Sequence, residues 1–360
     1  MEIKSPVSPP AAWLVRISEV FSGFADEIVG GLSGSLSKKL GSEYYLIQTS
    51  ESVAIHSSEA AKYLRWNLPV EHAWPCNPEK MEGFVEKAAQ AIFRKFGDRH
   101  PQAIFIGQLD PSATNRYYKT LASNLRGRTL QLFPKKIAEF KDVEGQNSTL
   151  PTLFCLVGKE GLFCGMQSPR KSNGLYPGGT KYISQSSPDA ISRAGAKIAE
   201  ALHYLGMYRP ALKKGARWLE LGASPGGMTS ELLGKGYKVT ALDRAPLDKR
   251  LDGQPGLQFA MMDVAAFRPN SGMTYEAILS DMNGDPRESI GQVIRLSKNL
   301  NPGGIVIFTL KTQGIITYSE MNELYQFAIQ SATAAGLCHL ATTHLTYNRH
   351  ELTLFLDLPA

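Results

Sequence analysis

Cysteine is scarce in this chain: four residues in 360, at positions 76, 155, 164 and 338, with no Cys-x-x-Cys pair. That excludes a disulfide scaffold and suits buried, reduced thiols in a cytosolic, cytoplasmic protein. None of the seven histidines stands at metal-ligand spacing from a cysteine, so no metal site is expected. No run approaches eighteen consecutive apolar residues, and no membrane-spanning helix or membrane partner is expected. The first residues, MEIKSPVSPPAAWLVRI, hold only a five-residue apolar run behind Pro9 and Pro10, which does not read as a secretory signal. Internal repeats are not visible. What remains is ordinary globular composition, 43% hydrophobic and 20% charged. It excludes a disordered, collagen-like or coiled-coil chain, and the length suggests two or three domains.

The net charge of +6 is unevenly placed. Residues 1–185 carry 22 Lys+Arg against 17 Asp+Glu, whereas 186–360 carry 17 against 16. Within 94–141 ten basic residues (Arg94, Lys95, Arg99, Arg116, Lys119, Arg126, Arg128, Lys135, Lys136, Lys141) face three acidic ones. Such a cluster is either a solvated face or a surface that neutralises phosphates and releases their counterions. Tyr176, Tyr182, Trp66 and Trp74 could stack on bases, although aromatics of this kind more often fill cores.

In the first half, 12–20 and 43–47 read as extended. The segments 24–31, 59–68, 81–96 and 115–125 read as helical, and 103–106 as a short strand. Residues 152–157 and 161–166 flank Gly158-Lys159-Glu160 as a hairpin. Pro69, Pro75 and Pro78 suggest a subdomain boundary, giving 1–75 and 80–185. The Gly-, Pro-, Ser- and Lys-rich stretch 167–187 reads as an interdomain linker. In the second half a helix is expected over 189–205, with Ser187 as N-cap and Pro188 at the first position. Strands at 217–221, 238–242, 257–260, 277–280 and 305–310 then alternate with helices at 228–234, 290–299 and 319–335. Residues 338–345 and 351–356 close the chain as paired strands. This pattern predicts a doubly wound, mostly parallel α/β sheet with an antiparallel edge over 186–360.

The first strand runs into Leu221-Gly222-Ala223-Ser224-Pro225-Gly226-Gly227 and then a helix. In an open parallel sheet such a turn marks the ligand crevice. Gly222, Gly226 and Gly227 are expected to let a ligand approach the backbone. A nicotinamide cofactor asks for G-x-G-x-x-G followed by an acid about twenty residues on. Asp243 meets the second condition, but the glycine pattern fails. S-adenosyl-L-methionine has no phosphate to cradle. Asp243, ending the second strand, could accept its ribose hydroxyls, and Asp263, after the third, its adenine amino group.

Asp281 follows the fourth strand and Lys311 ends the fifth, both otherwise apolar. Lys197 lies in the helix before the sheet and Glu351 opens the last strand. Lone charges at such places are frequently structural ion pairs. Together they suit transfer of a methyl group to a ribose hydroxyl, which needs a positioned nucleophile and a proton acceptor. Lys197 is expected to lower the proton affinity of Lys311.

These residues carry a resemblance. Ser192-Arg193-Ala194-Gly195-Ala196-Lys197-Ile198-Ala199-Glu200, Leu219–Gly227, Ser280-Asp281-Met282, Pro302-Gly303-Gly304, Phe308-Thr309-Leu310-Lys311 and Arg349-His350-Glu351-Leu352-Thr353 follow one order through 188–357. The chain resembles the FtsJ-like ribosomal RNA 2′-O-ribose methyltransferases. Within them it is most similar to bacterial enzymes that methylate a cytidine of large-subunit rRNA and carry an N-terminal THUMP domain. The resemblance implies a Rossmann-like S-adenosyl-L-methionine methyltransferase domain at 186–360. Before it would stand an α+β RNA-binding region at 1–185, ferredoxin-like over 1–75 and THUMP-like over 80–185. It implies catalytic Lys197, Asp281, Lys311 and Glu351, with Lys311 as proton acceptor. Cofactor contacts fall on Ser224, Pro225, Gly226, Gly227, Asp243, Asp263 and Asp281. The implied partner is ribosomal RNA or its precursor. No DNA partner is expected, and the Gly- and Lys-rich linker is compatible with a monomer. Met228 departs from the tryptophan usual in the family's turn. A transfer RNA or mRNA-cap acceptor, or a non-catalytic RNA-binding protein, stands as the alternative.

Overall fold

The computed structural model describes residues 12–49, 54–109, 116–181, 183 and 191–360. The chain divides into two compact units, Met1–Thr180 and Lys181–Ala360. Among the described residues no helix is long and apolar enough to cross a membrane.

The first unit contains β1 (Ala12–Ile17), α1 (Ala25–Gly31), β2 (Gly34–Leu40), β3 (Tyr44–Thr49), β4 (Leu64–Pro69), β5 (His72–Trp74), α2 (Phe84–Phe96), β6 (Ile104–Gln108), α3 (Tyr117–Leu132), α4 (Lys135–Ala138), β7 (Thr152–Gly158), β8 (Gly161–Gln167) and α5 (Pro169–Ser172). Two four-stranded sheets form, ordered β2-β3-β1-β4 and β5-β8-β7-β6. Side chains alternate across the second sheet. Ile104, Ile106, Leu153, Cys155 and Val157 pack with α2 and α3. Phe105, Phe154, Leu156 and Phe163 join Leu14, Tyr44, Trp66 and Leu68 of the first sheet.

Two readings of this half are corrected. The segment 59–68 is not one helix: a 3-10 turn over Glu59–Tyr63 leads into β4. β4 alternates Leu64, Trp66 and Leu68 with Arg65 and Asn67, the period of a strand, and all six of its residues are buried. Residues 167–173, read as the start of the interdomain linker, are not free either. Gln167 Nε2 donates to Asn67 Oδ1 (2.9 Å) and Ser172 Oγ (3.1 Å), and Asn173 Nδ2 donates to the Leu64 carbonyl (2.8 Å). These bonds, with α5, build residues 167–173 into the first unit. Trp66 is fully buried against Phe154 and so is a core residue, and Trp74 stacks on Phe84. Tyr182, Ser187 and Pro188 lie outside the described residues.

The second unit contains α6 (Ala194–Leu205), β9 (Arg217–Leu221), α7 (Gly227–Gly234), β10 (Lys238–Asp243), β11 (Leu257–Met261), β12 (Tyr275–Ser280), α8 (Pro286–Ser297), β13 (Leu300–Lys311), α9 (Tyr318–Ala334), β14 (Cys338–Thr343) and β15 (Glu351–Asp357). They make one seven-stranded sheet, ordered β11-β10-β9-β12-β13-β15-β14. Only β15 runs against its neighbours. The order turns outward from β9 in both directions, so the carboxyl ends of β9 and β12 open a crevice at the switch point. Strand burial fixes the register. Ala277, Ile278 and Leu279 lie beside Ile305, Val306 and Ile307, all almost wholly inaccessible. A one-residue slip of a strand would turn every side chain to the opposite face.

Candidate active site

A cavity of about 480 Å³ opens at that switch point, lined from the ends of β9, β10, β11 and β12. Gly222, Ser224, Pro225, Gly227, Asp243, Asp263 and Asp281 all line it, whereas Gly226 does not. The glycines answer first to the protein's own packing, not only to an incoming ligand. Gly222 adopts φ +80°, and a Cβ there would stand 2.9 Å from Met282 Cα and 3.0 Å from the Asp281 carbonyl oxygen. A Cβ on Gly227 would collide with Ser192 Oγ, just before α6.

Asp243 ties the crevice wall together. Its Oδ2 accepts from the Ser224 amide and its Oδ1 from the Ala245 amide, both at 2.9 Å. Asp263 accepts from the Ala265 amide at 2.8 Å and lies 3.8 Å from Arg244. Six acids line the cavity (Glu220, Asp243, Asp263, Asp281, Asp285 and Glu288) against one cation, Arg244. Apart from Glu220, which burial keeps protonated, these carboxylates repel a pyrophosphate and favour a ligand carrying positive charge, such as a sulfonium with an α-ammonium group. The lining suits S-adenosyl-L-methionine better than a dinucleotide.

Glu220 was not singled out in the sequence as a site residue. It is buried in β9, and its Oε2 accepts from the Thr229 hydroxyl at 2.7 Å. Burial, aided by the charges of Asp281 and Asp243, pushes its carboxyl up to about 8 against an ordinary 4.5. The visible signal was an acid inside the apolar run Trp218-Leu219-Glu220-Leu221, since carboxylates are rarely buried without a purpose or a partner.

Beside the crevice the four expected charged residues meet, from α6, the end of β12, the end of β13 and the start of β15. Lys311 Nζ donates to Asp281 Oδ1 at 2.5 Å and to Glu351 Oε2 at 2.7 Å. Lys197 Nζ donates to Asp281 Oδ2 at 3.4 Å and is ion-paired with Glu351 Oε1. The ring therefore alternates ammonium and carboxylate. Lys311 and Glu351 are direct cross-strand partners in the β13–β15 register. Asp281 belongs to both the ring and the crevice wall, placing the lysines at the inner rim of the cavity.

This arrangement overturns one expectation. Lys197 does not lower the proton affinity of Lys311, because two carboxylates stand between the cations. Burial alone would lower the Lys311 pKa, but Asp281 and Glu351 outweigh it and raise the value above 10.5. Burial likewise acts to raise Glu351, and the two lysines overcome it and hold its carboxyl below 4.5. At rest, Lys311 is an ammonium.

A doubly wound sheet with an acid-lined crevice at its switch point is a Rossmann-like arrangement whose lining suits S-adenosyl-L-methionine. Residues 190–313 match the model of the FtsJ-like methyltransferase family. The chain is similar to the ribosomal RNA large subunit methyltransferase M of Laribacter hongkongensis, 32% identical over 179 residues, covering 48% of this chain and 49% of that protein. It is also similar to the protein of that name from Shewanella loihica, 26% identical over 225 residues and 60% of each. The chain thus spans about half the length of the first of these relatives. Among solved structures, TrmN from Thermus thermophilus matches at 17% identity over 96% of this chain and 99% of that one, with a TM-score of 0.38. That likeness is too distant to bear on the argument.

Proposed function

We propose that the chain is an S-adenosyl-L-methionine-dependent 2′-O-ribose methyltransferase of ribosomal RNA, acting on a cytidine of the large subunit in the cytoplasm. The observation that carries the reading is the Lys197–Asp281–Lys311–Glu351 ring at the edge of a crevice suited to a cationic ligand. The large-subunit rRNA acceptor is favoured over transfer RNA or an mRNA cap by the relatives named above.

The bound cofactor supplies a methyl group on a sulfonium, already electrophilic. The protein's task is then to orient a ribose 2′-hydroxyl in line and to take its proton. Lys311, in its neutral form, accepts that proton at Nζ as the oxygen forms its bond to the methyl carbon and the carbon–sulfur bond breaks. Asp281 and Glu351 aim the lysine and share the charge it gains, and Lys197 balances the two acids. Because the resting Lys311 is protonated, turnover rises with pH toward the alkaline side. Gly222, Ser224, Pro225, Gly226, Gly227, Asp243, Asp263 and Asp281 form the cofactor-binding wall, with Gly226 acting through the shape of the turn.

The first unit serves as the RNA grip, with residues 1–75 ferredoxin-like and 80–185 THUMP-like. Arg94, Lys95, Arg116, Lys119, Lys135, Lys136 and Lys141 are all exposed there. Such cations contact phosphates, so recognition follows RNA shape more than base identity. The test is transfer of a labelled methyl group to rRNA lacking its modifications, followed by mapping of the labelled nucleotide. A labelled 2′-O-methylcytidine in large-subunit rRNA is expected. Label confined to tRNA, to a cap or to a base atom would overturn the assignment.

A further inference from the structure

Glu351 reaches the ring only because the chain doubles back between β14 and β15, and residues 344–350 form that return. Several polar contacts shape it. His344 Nε2 donates to the Arg349 carbonyl at 2.9 Å, and Asn348 Nδ2 donates to the Glu351 carbonyl at 3.3 Å and to Thr353 Oγ1 at 2.9 Å. The Thr312 amide, one residue beyond Lys311, donates to the His350 carbonyl at 2.8 Å. These bonds hold the loop to itself and to β13. Its anchor on α6 comes from one buried acid, Glu200. The Thr346 amide donates to Glu200 Oε2 at 2.8 Å and Oε1 at 3.0 Å, and the Thr346 hydroxyl donates to Oε1 at 2.6 Å.

Glu200 stands one helical turn beyond Lys197, so the two share a side of α6. The helix thus grips the returning chain twice, at Thr346 through Glu200 and at Glu351 through Lys197. Tyr347 adds a tie to the chain entering the unit: its hydroxyl donates to the Ile183 carbonyl at 2.9 Å and accepts from the Ile183 amide at 2.8 Å.

We propose that Glu200 is a positioning residue for methyl transfer: by fixing Thr346 relative to α6, it sets where the Glu351 carboxylate sits between Lys197 and Lys311. The inference rests on the methyl-transfer reading above, but its central measurement does not need turnover. Lys311 faces the carboxylates of Asp281 and Glu351, with Lys197 across them. The bonds from Thr346 give Glu200 a route to Lys311 through the placement of Glu351.

The test follows the titration of the Lys311 ammonium by NMR in lysine-labelled full-length protein, with the signal assigned by its loss in Lys311→Arg. Glu200→Gln keeps the shape but offers an NH2 group to the Thr346 amide, opposing two donors. We expect the Lys311 midpoint to fall in Glu200→Gln and to fall further in Glu351→Gln. The double variant should match Glu351→Gln alone, since the path is the same. In turnover, Glu200→Gln should lower kcat about tenfold while the KM for RNA and for cofactor stays within about twofold. Thr346→Val, which removes only the hydroxyl contact, should move the midpoint the same way by less, and it serves if the Gln variant does not fold. An unmoved Lys311 midpoint in folded Glu200→Gln or Thr346→Val would overturn the proposal, as would a full Glu200→Gln shift persisting in the Glu351→Gln background. Loss of all methyl transfer in the wild type, with the lysine shifts as expected, would instead sink the enzymatic reading and leave the positioning role standing.

Discussion

Two glutamates of the second unit are buried almost equally, Glu220 at 2% exposure and Glu351 at 4%, and their chemistry is opposite. Glu351, at the start of β15, faces two ammonium groups and stays ionised. Glu220, within β9, has the Thr229 hydroxyl and two acids nearby, and it holds its proton up to about pH 8. Partner and not depth decides which carboxyl keeps its charge. The protein thus places a charged ring at the rim of the crevice and a neutral acid in its wall, within one sheet.

The most damaging way to break that contrast is Lys311→Ala. It removes the proposed proton acceptor and leaves Asp281 and Glu351 sharing a single cation. Methyl transfer should fall by roughly 10²- to 10⁴-fold, while calorimetry should find cofactor affinity within about threefold of wild type. Retained transfer at wild-type rate would end the assignment. Glu351→Gln comes next. Turnover should fall, and the rising limb of its pH profile should move to lower pH, because a carboxylate that stabilised the Lys311 ammonium is gone. A limb shifted upward would contradict the ring. Asp243→Asn disturbs the crevice wall instead. It turns an acceptor of two backbone amides into a half-mismatched amide and should weaken cofactor binding about tenfold. The kcat of the saturated enzyme should change little.

The smallest effect sharpens the comparison from the other side. Glu220 binds its proton more tightly in the folded state than in the unfolded chain, so native stability falls as pH rises from about 4.5 to about 8. Glu351 has the reverse sign: its contribution is complete above the ordinary carboxylate range and is lost as pH falls through its lowered value. Glu220→Gln should therefore flatten the decline of Tm between pH 5 and 8, measured by thermal melts. An equally steep decline in the variant would show that another group carries it.

Much of the second unit was readable from residue order. Ala277-Ile278-Leu279 and Ile305–Phe308 are short apolar runs with polar groups at their carboxyl ends, and only a buried parallel strand demands both. The four ring residues were legible as individuals. Their alternation was not, because the pairing of Lys311 with Glu351 depends on the register of β13 against β15, forty residues apart. That register turned the expected cation–cation influence into two intervening carboxylates. In the first unit, the helical reading of 59–68 passed over the two-residue period of Leu64-Arg65-Trp66-Asn67-Leu68, which marks β4 as a strand. The basic cluster was also partly misleading. Arg126 donates to the Ile104 and Phe140 carbonyls, and Arg128 and Arg99 pair with Glu86 and Glu71. Three of its ten cations hold the fold together, and only three-dimensional contacts could tell them from the cations left exposed.

The placement of β15 has a consequence for biosynthesis. Residues lining the crevice run no further along the chain than Gln292, whereas the ring waits for Glu351. Until β15 inserts between β13 and β14, the residues that line the crevice can all be present while the ring lacks Glu351. Lys311 would lie meanwhile on an unclosed sheet edge. Closure of the ring thus depends on a strand far along the chain from the crevice it borders.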